Sequence, residues 1–174
     1  GLAIAFTTYS PEDPSFVYGD REFEIKNFFG IYGSSIADFL LQSFGLVSFL
    51  ILANFLFWGI NLLIQKEIKR IILKLFLVVS YLVLGTIFIY ITFNNSFWLI
   101  DNGNSGFVGK IGYDFLSGWF PYIDNTYSAY GLLLLTLIFF IFSADLNIKK
   151  IITGTFSIIA SLFRRKENTI PDVN

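Results

Sequence analysis

Three stretches of the chain, residues 39–64, 71–93 and 126–144, are apolar almost throughout, and polar or turn-forming segments separate them. At a rise of ~1.5 Å per residue, about 20 residues cover the ~30 Å hydrocarbon core of a bilayer, so each stretch predicts a transmembrane helix. A buried helix of a soluble protein is the alternative for any one of them. Three such stretches in 174 residues, however, would leave almost no amphipathic helix to cover them. The predicted fold class is an all-α polytopic transmembrane helical bundle.

Between the apolar stretches the pattern changes. Residues 7–15 read Thr-Thr-Tyr-Ser-Pro-Glu-Asp-Pro-Ser, and prolines at 11 and 14 forbid a continuous helix there. From Gly33 the pattern becomes helical and runs into a span longer than a bilayer needs, which predicts tilt or outward projection. The link 65–70 is so short that the next helix is expected to return antiparallel beside the previous one. Residues 1–8 are apolar but too short to span, and are read as the outer end of a truncated first span, giving four spans in the intact protein. A cleaved signal peptide is the rival explanation for the missing methionine, without a positive n-region or a small-residue cleavage site to support it.

Charge placement sets an orientation. Lys66, Lys69, Arg70 and Lys74 cluster around the 65–70 link, and Lys149, Lys150, Arg164, Arg165 and Lys166 follow the last span. The other side has only Arg21, Lys26 and Lys110. The positive-inside rule therefore puts 65–70 and the C-terminus in the cytoplasm and 9–38 and 94–125 outside, with Lys74 free to snorkel to the headgroups. Phe97-Trp98 and residues 119–122 (Trp-Phe-Pro-Tyr) read as aromatic anchors at the outer interface.

The two outside segments share a pattern. Gly30-x-x-Gly33-x-x-x-x-Asp38-Phe39-Leu40 recurs as Gly106-x-x-Gly109-x-x-x-x-Asp114-Phe115-Leu116, each with a phenylalanine six residues after the aspartate. A duplicated helical hairpin, in a parallel two-plus-two arrangement about an axis along the membrane normal, accounts for this most simply. The alternative is a chance match of glycines and a common Phe-Leu pair. After Phe120 the second copy departs, with Pro121 and a polar Asp124-Asn125-Thr126 before its span.

Composition narrows the chemistry. With 55% hydrophobic and only 14% charged residues the chain is far from an ordinary soluble domain, and without cysteine or histidine the usual thiol and zinc sites are impossible. Residues 104–111, Asn-Ser-Gly-Phe-Val-Gly-Lys-Ile, come nearest to a phosphate-binding G-x-x-x-x-G-K-[ST] loop, but Asn104 replaces the opening glycine and Ile111 the magnesium-binding hydroxyl. Asp38 and Asp114 stand at span entrances, where a carboxylate facing water is the ordinary reading. No catalytic residue, cofactor site or metal site is expected.

Inside the spans, Asn54 and Asn61 lie seven apart on one helix face with Gln65 another turn along, placed to hydrogen-bond to Ser80 or Thr86 of the neighbouring helix. Helix-packing contacts are the favoured reading over a pore lining, which normally carries ionisable residues deep in the bilayer. Replacing Asn54 and Asn61 together by leucine is expected to weaken helix association without blocking insertion. Residues 146–166 form an amphipathic basic pattern, with Ile148, Ile151, Ile152, Phe156 and Ile159 opposed to Lys149, Lys150, Thr153 and Arg164, suited to a helix in the cytoplasmic interface or, alternatively, to one packing on its own bundle or on a neighbouring subunit. The tail 167–174 reads as the start of a linker.

Residues 9–15 (Tyr-Ser-Pro-Glu-Asp-Pro-Ser), the run from Asn27 to Leu40 and the Phe44-Gly45 pair also carry a family resemblance. Together they resemble the N-terminal four-span membrane domain of the FtsK/SpoIIIE family of bacterial DNA translocases, in which an S-x-x-DPS stretch follows the first span and an N-x-x-G-x-x-G-x-x-x-A-D stretch opens the second. The resemblance covers most of residues 1–145. It implies a multi-pass domain of the bacterial inner membrane, partnered by the lipid bilayer, by further copies of itself in a homo-oligomer, and by division-machinery membrane proteins at the septum. ATP and magnesium would belong to a motor beyond residue 174, and no direct nucleic-acid contact is expected of this segment. A free-standing transporter or channel half, or a membrane assembly factor, is the alternative.

Overall fold

The computed structural model describes residues 1–15, 25–65, 67–95, 99, 102–146 and 153. Among these, every regular element is helical: α1 (Leu2–Thr7), α2 (Gly30–Phe44), a 3-10 turn (Gly45–Val47), α3 (Ser48–Gln65), α4 (Ile71–Phe93), α5 (Gly106–Ser117) and α6 (Thr126–Ser143). Three helical stretches are long and apolar enough to cross a membrane: Gly30–Ile64 with 35 residues, Ile71–Phe93 with 23 and Thr126–Ser143 with 18. Their outward faces carry large apolar side chains, such as Leu63 at 85%, Ile72 at 82% and Phe76 at 65% exposure. Lipid is the solvent such a surface requires. The chain is a polytopic membrane helical bundle.

Two elements differ from the sequence pattern. The span expected over 39–64 starts nine residues earlier as α2 and bends at the 3-10 turn, because Gly45 takes φ 54°, a left-handed conformation that closes α2. The break frees backbone groups, and two are re-satisfied: Ser48 Oγ donates to Leu40 O at 2.7 Å, and Leu46 N donates to Asn104 O at 2.8 Å. The second difference is α5, a full helix inside the segment expected as the 94–125 loop. Glycines at 106, 109 and 112 obscure the helical pattern there by lowering propensity.

α4 is the centre of the bundle. It packs chiefly on α6 and α5, and no more than marginally on α3, despite the short 65–70 link to α3. Small residues decide this. A Cβ on Gly85 would lie 3.1 Å from Thr136 of α6 and 3.0 Å from Val47, so α4 and α6 approach closely where α3 offers no comparable notch. α3 reaches α6 instead through long side chains, with Phe57 edge-on to Phe140. One buried cluster, Ala5, Phe6, Ala37, Leu41 and Leu99, joins α1 to α2, and a second, Val47, Ile51, Tyr81 and Leu82, joins the bend to α4. The amphipathic helix expected over 146–166 and the tail 167–174 lie outside the described residues, apart from Leu146 and Thr153, and so do Phe97 and Trp98.

Candidate functional site

The residues of the repeated motif gather at one end of the bundle, where they form two joints. At the first, Gly30 opens α2 with φ 61°, and its N–H closes a turn onto Asn27 O at 2.9 Å. Gly33 is buried so tightly that an added Cβ would meet Asn27 Oδ1 at 2.2 Å and Phe29 Cβ at 2.6 Å. The carboxylate of Asp13, 7% exposed, accepts from Lys26 N at 2.9 Å and Asn27 N at 2.8 Å. Asn27 in turn donates through Nδ2 to Ala5 O at 2.9 Å, near the end of α1. Ser34 Oγ donates to Pro14 O at 2.6 Å, and Tyr9 OH donates to Asp38 at 3.1 Å. The S-x-x-DPS and N-x-x-G-x-x-G segments are thus two halves of one hydrogen-bonded clamp.

The second joint repeats the plan with neutral groups. Gly106 opens α5 with φ 66°, its N–H directed to Gly103 O at 3.3 Å. A Cβ on Gly109 would lie 2.5 Å from Ser105 Cβ and 2.7 Å from Thr86 O, which packs α5 directly on the backbone of α4. Asn104 Nδ2 donates to Phe93 O at 2.7 Å and Asn95 O at 2.6 Å, covering carbonyls at the end of α4. Ser105 Oγ donates to Asn94 Oδ1 at 2.7 Å. Asp114 is exposed, and its backbone carbonyl accepts from Ser117 Oγ at 3.1 Å. The loop that resembled a phosphate cradle is therefore filled by its own protein contacts, with Asn104 spent on α4.

The two joints interlock. A Cβ on Gly45 would fall 1.9 Å from Asn104 O, and one on Gly106 would fall 2.4 Å from Ser43 O. Backbone touches backbone at both positions, so no side-chain shift can make room. Electrostatics differ between the joints. The exposed Lys26–Glu12 pair at 2.7 Å holds the Glu12 carboxyl below its ordinary range through the hydrogen bond and charge of Lys26. Near α5, the hydrogen bond from Tyr113 to Asp124 at 2.9 Å holds the Tyr113 hydroxyl above its ordinary range.

At the opposite end, the polar span residues meet α6 rather than each other. Asn61 Nδ2 donates to Ala144 O at 3.3 Å, and Trp58 Nε1 donates to Ser143 O at 2.7 Å, so α3 covers carbonyls that α6 leaves open at its end. Ser80 and Thr86 turn back on their own helix, to Phe76 O at 2.8 Å and Val83 O at 2.8 Å, which leaves the expected cross-helix bonds to Asn54 and Asn61 unmade. Asn54 is buried, and among the described residues its Oδ1 has no hydrogen-bond partner; neither do Ser43 Oγ and Tyr81 OH. Gln65 ends α3, and its side chain lies outside the described residues. Lys74 does not snorkel: it is 5% exposed and ion-paired with Asp145, while Ser143 Oγ donates to Lys74 O at 3.3 Å. Buried against the end of α6, the Lys74 ammonium is compensated by that carboxylate in place of water.

Among the described residues no group of three or more acidic side chains could hold a metal ion. The arrangement is suited to fixing helix against helix. The Asp13–Asn27 clamp and the Trp58–Ser143 bond were not legible in the sequence, although a carboxylate between prolines and an asparagine three residues before a glycine were the available signals.

Comparison with known proteins places these features in a family. The model of the 4TM region of DNA translocase FtsK/SpoIIIE matches residues 1–156. The chain is 33% identical over 70 residues to a DNA translocase FtsK of Azospirillum brasilense, covering 40% of this chain and 11% of that protein. It is 43% identical over 63 residues to that of Rickettsia prowazekii (35% of this chain, 8% of that protein) and 34% identical over 85 residues to that of Rickettsia typhi (48% and 11%). The matched stretches thus span about a tenth of the length of these relatives. No solved structure matches.

Proposed function

Because the chain belongs to the family of the 4TM region of DNA translocase FtsK/SpoIIIE, we propose that it anchors such a translocase in the bacterial inner membrane, brings its copies together and localises them at the division septum. The observation that carries this reading is the family match over residues 1–156 combined with three membrane-length helices. The mechanism is positional. A bilayer anchor confines attached motors to a surface and raises their local concentration for assembly, and ATP and magnesium serve the motor rather than these helices. The placement of nine of the twelve basic residues supports a cytoplasmic C-terminus. The motif-bearing joints then face the outside, where they offer a firm surface to division-machinery proteins. The like-placed glycines of α2 and α5, each opening its helix at positive φ, support a duplicated hairpin.

A fusion of this chain to a fluorescent protein, expressed in a dividing bacterium, tests the reading. Enrichment at the septum and cross-linked multimers are the expected result, whereas uniform membrane fluorescence with monomers only would overturn it. Topology is checked by single cysteines, since the chain has none of its own. A cysteine at Ser10 is expected to react with an impermeant maleimide in whole cells, and one at Lys69 only after lysis.

A further inference from the structure

Where α4 starts beside the end of α6, a cleft of about 690 Å³ opens, lined by Lys69, Arg70, Leu73, Lys74, Leu77, Phe142 and Asp145. Its charges do not cancel. Asp145 is engaged by Lys74. Among the described residues Lys69 has only a surface partner, Glu67 at 3.2 Å, in a pair whose side chains are 77% and 63% exposed and which contributes little. No carboxylate pairs with Arg70 among the described residues. Arg70 stands in a left-handed conformation, φ 55° and ψ 47°, immediately before α4, whose first turn holds no acidic residue. Cations therefore crowd the positive end of a helix, an arrangement that an anion would relieve. Beyond the charges the wall turns apolar: Leu73 and Leu77 are one turn apart on α4, and Phe142 faces them from α6.

We infer that this cleft binds an anionic phospholipid, its phosphoryl headgroup on Lys69 and Arg70 and its acyl chain along Leu73, Leu77 and Phe142. A soluble phosphate would satisfy the cations and leave that apolar wall without a partner, whereas a lipid satisfies both in one molecule. The inference rests on the membrane embedding of the chain and not on which leaflet the cleft faces.

The test is native mass spectrometry of the whole chain released from nanodiscs of equal phosphatidylglycerol and phosphatidylcholine. The wild type is expected to retain phosphatidylglycerol preferentially, and Lys69→Gln with Arg70→Gln to lower that retention by about fivefold per removed charge. Lys69→Arg with Arg70→Lys is expected to restore it. Asp145→Asn, which removes the competing carboxylate, is expected to leave retention at or above the wild-type level. Both headgroup-facing residues are exposed, and an unchanged helical circular dichroism spectrum confirms that the variants fold. Equal retention of the two lipids by the wild type, or undiminished phosphatidylglycerol on the double glutamine variant, overturns the proposal. So does displacement of the lipid by millimolar inorganic phosphate, which would identify a soluble ligand. Nanodiscs expose both leaflets, so failure here would leave the septal and topology experiments to stand or fall separately.

Discussion

The joint leading into α2 and the joint leading into α5 share a Gly-x-x-Gly spacing and a left-handed first glycine, yet they are closed by different chemistry. At the first, a buried carboxylate, Asp13, gathers two backbone N–H groups. At the second, the amides of Asn94 and Asn104 and the hydroxyl of Ser105 share the work. Loop length offers a reason. The connection from α1 to α2 runs over residues 8–29 and that from α4 to α5 over 94–105, and closing the longer loop costs more entropy. A charge-assisted clamp supplies more than neutral bonds can. Beyond the motif the joints diverge again: α2 continues through the 3-10 turn into α3, whereas α5 stops, and the chain turns through Pro121 to Asn125, which caps α6 by accepting from Tyr127 N at 3.1 Å. At the second joint contact with other elements fixes the glycines, whereas at the first Gly30 is fixed by its positive φ and Gly33 by Asn27 and Phe29 of its own entry segment.

The comparison breaks most severely where the joints interlock. Gly45→Ala or Gly106→Ala combines a strained positive φ with a backbone collision and is expected to cost about 3 kcal/mol or more. Thermal unfolding in detergent reads this directly, and an unchanged midpoint would sink the interlock. Asp13→Ala attacks the first joint alone. It leaves two N–H groups without their carboxylate and is expected to cost about 2–3 kcal/mol, with faster amide exchange at Lys26 and Asn27 and unchanged exchange around α5.

Asn104→Ala is the matching change at the second joint, expected to cost about 1 kcal/mol because its bonds are neutral and partly replaceable by water. A loss equal to that of Asp13→Ala would remove the distinction between the clamps. Away from the joints, Asn61→Leu is expected to lose about 0.6–1 kcal/mol with its bond to Ala144 O, whereas Asn54→Leu removes an unpartnered buried Oδ1 and is expected to be neutral or stabilising. Equal losses from the two single variants would contradict this split.

The smallest effects are those of pH, and they separate the joints by sign. The Glu12 carboxyl is lowered in the folded state, so its pairing with Lys26 contributes above the ordinary carboxylate range and is lost as pH falls through the lowered value. Lys26 is raised by Glu12, so the same pair also loosens when pH rises beyond the raised lysine value. Tyr113 is raised by Asp124, so its contribution is present below the ordinary tyrosine value and is lost as pH rises through the raised one. Amide exchange is therefore expected to quicken near Lys26, and not near Tyr113, as Glu12 is protonated. Ultraviolet titration is expected to show delayed ionisation at Tyr113, with the delay reduced by Asp124→Asn.

Much of this was legible in the sequence, for physical reasons. Spans α4 and α6 follow from apolar length alone, because a bilayer imposes it regardless of what the helices touch. The bend at Gly45 was not legible, since the glycine matters there only because Asn104, far along the chain, approaches its backbone. The same holds for Asn61. Its spacing marked a packing face, but the choice of Ala144 O over a side chain on α4 depends on α6 lying against α3. Lys74 was placed correctly near a helix start, yet its burial depends on Asp145, 71 residues further along and just past the end of α6. Periodicity encodes what each segment must do alone, and these three positions are set by tertiary partners.

The hydrogen bond from Leu46 to Asn104 has a consequence for biogenesis. Until Asn104 has been synthesised, the amide exposed at the 3-10 turn lacks its protein partner. At roughly 5–20 residues per second the ribosome takes several seconds to supply it. The bond that holds the bend at Gly45 therefore forms only after the second half of the chain has begun to emerge.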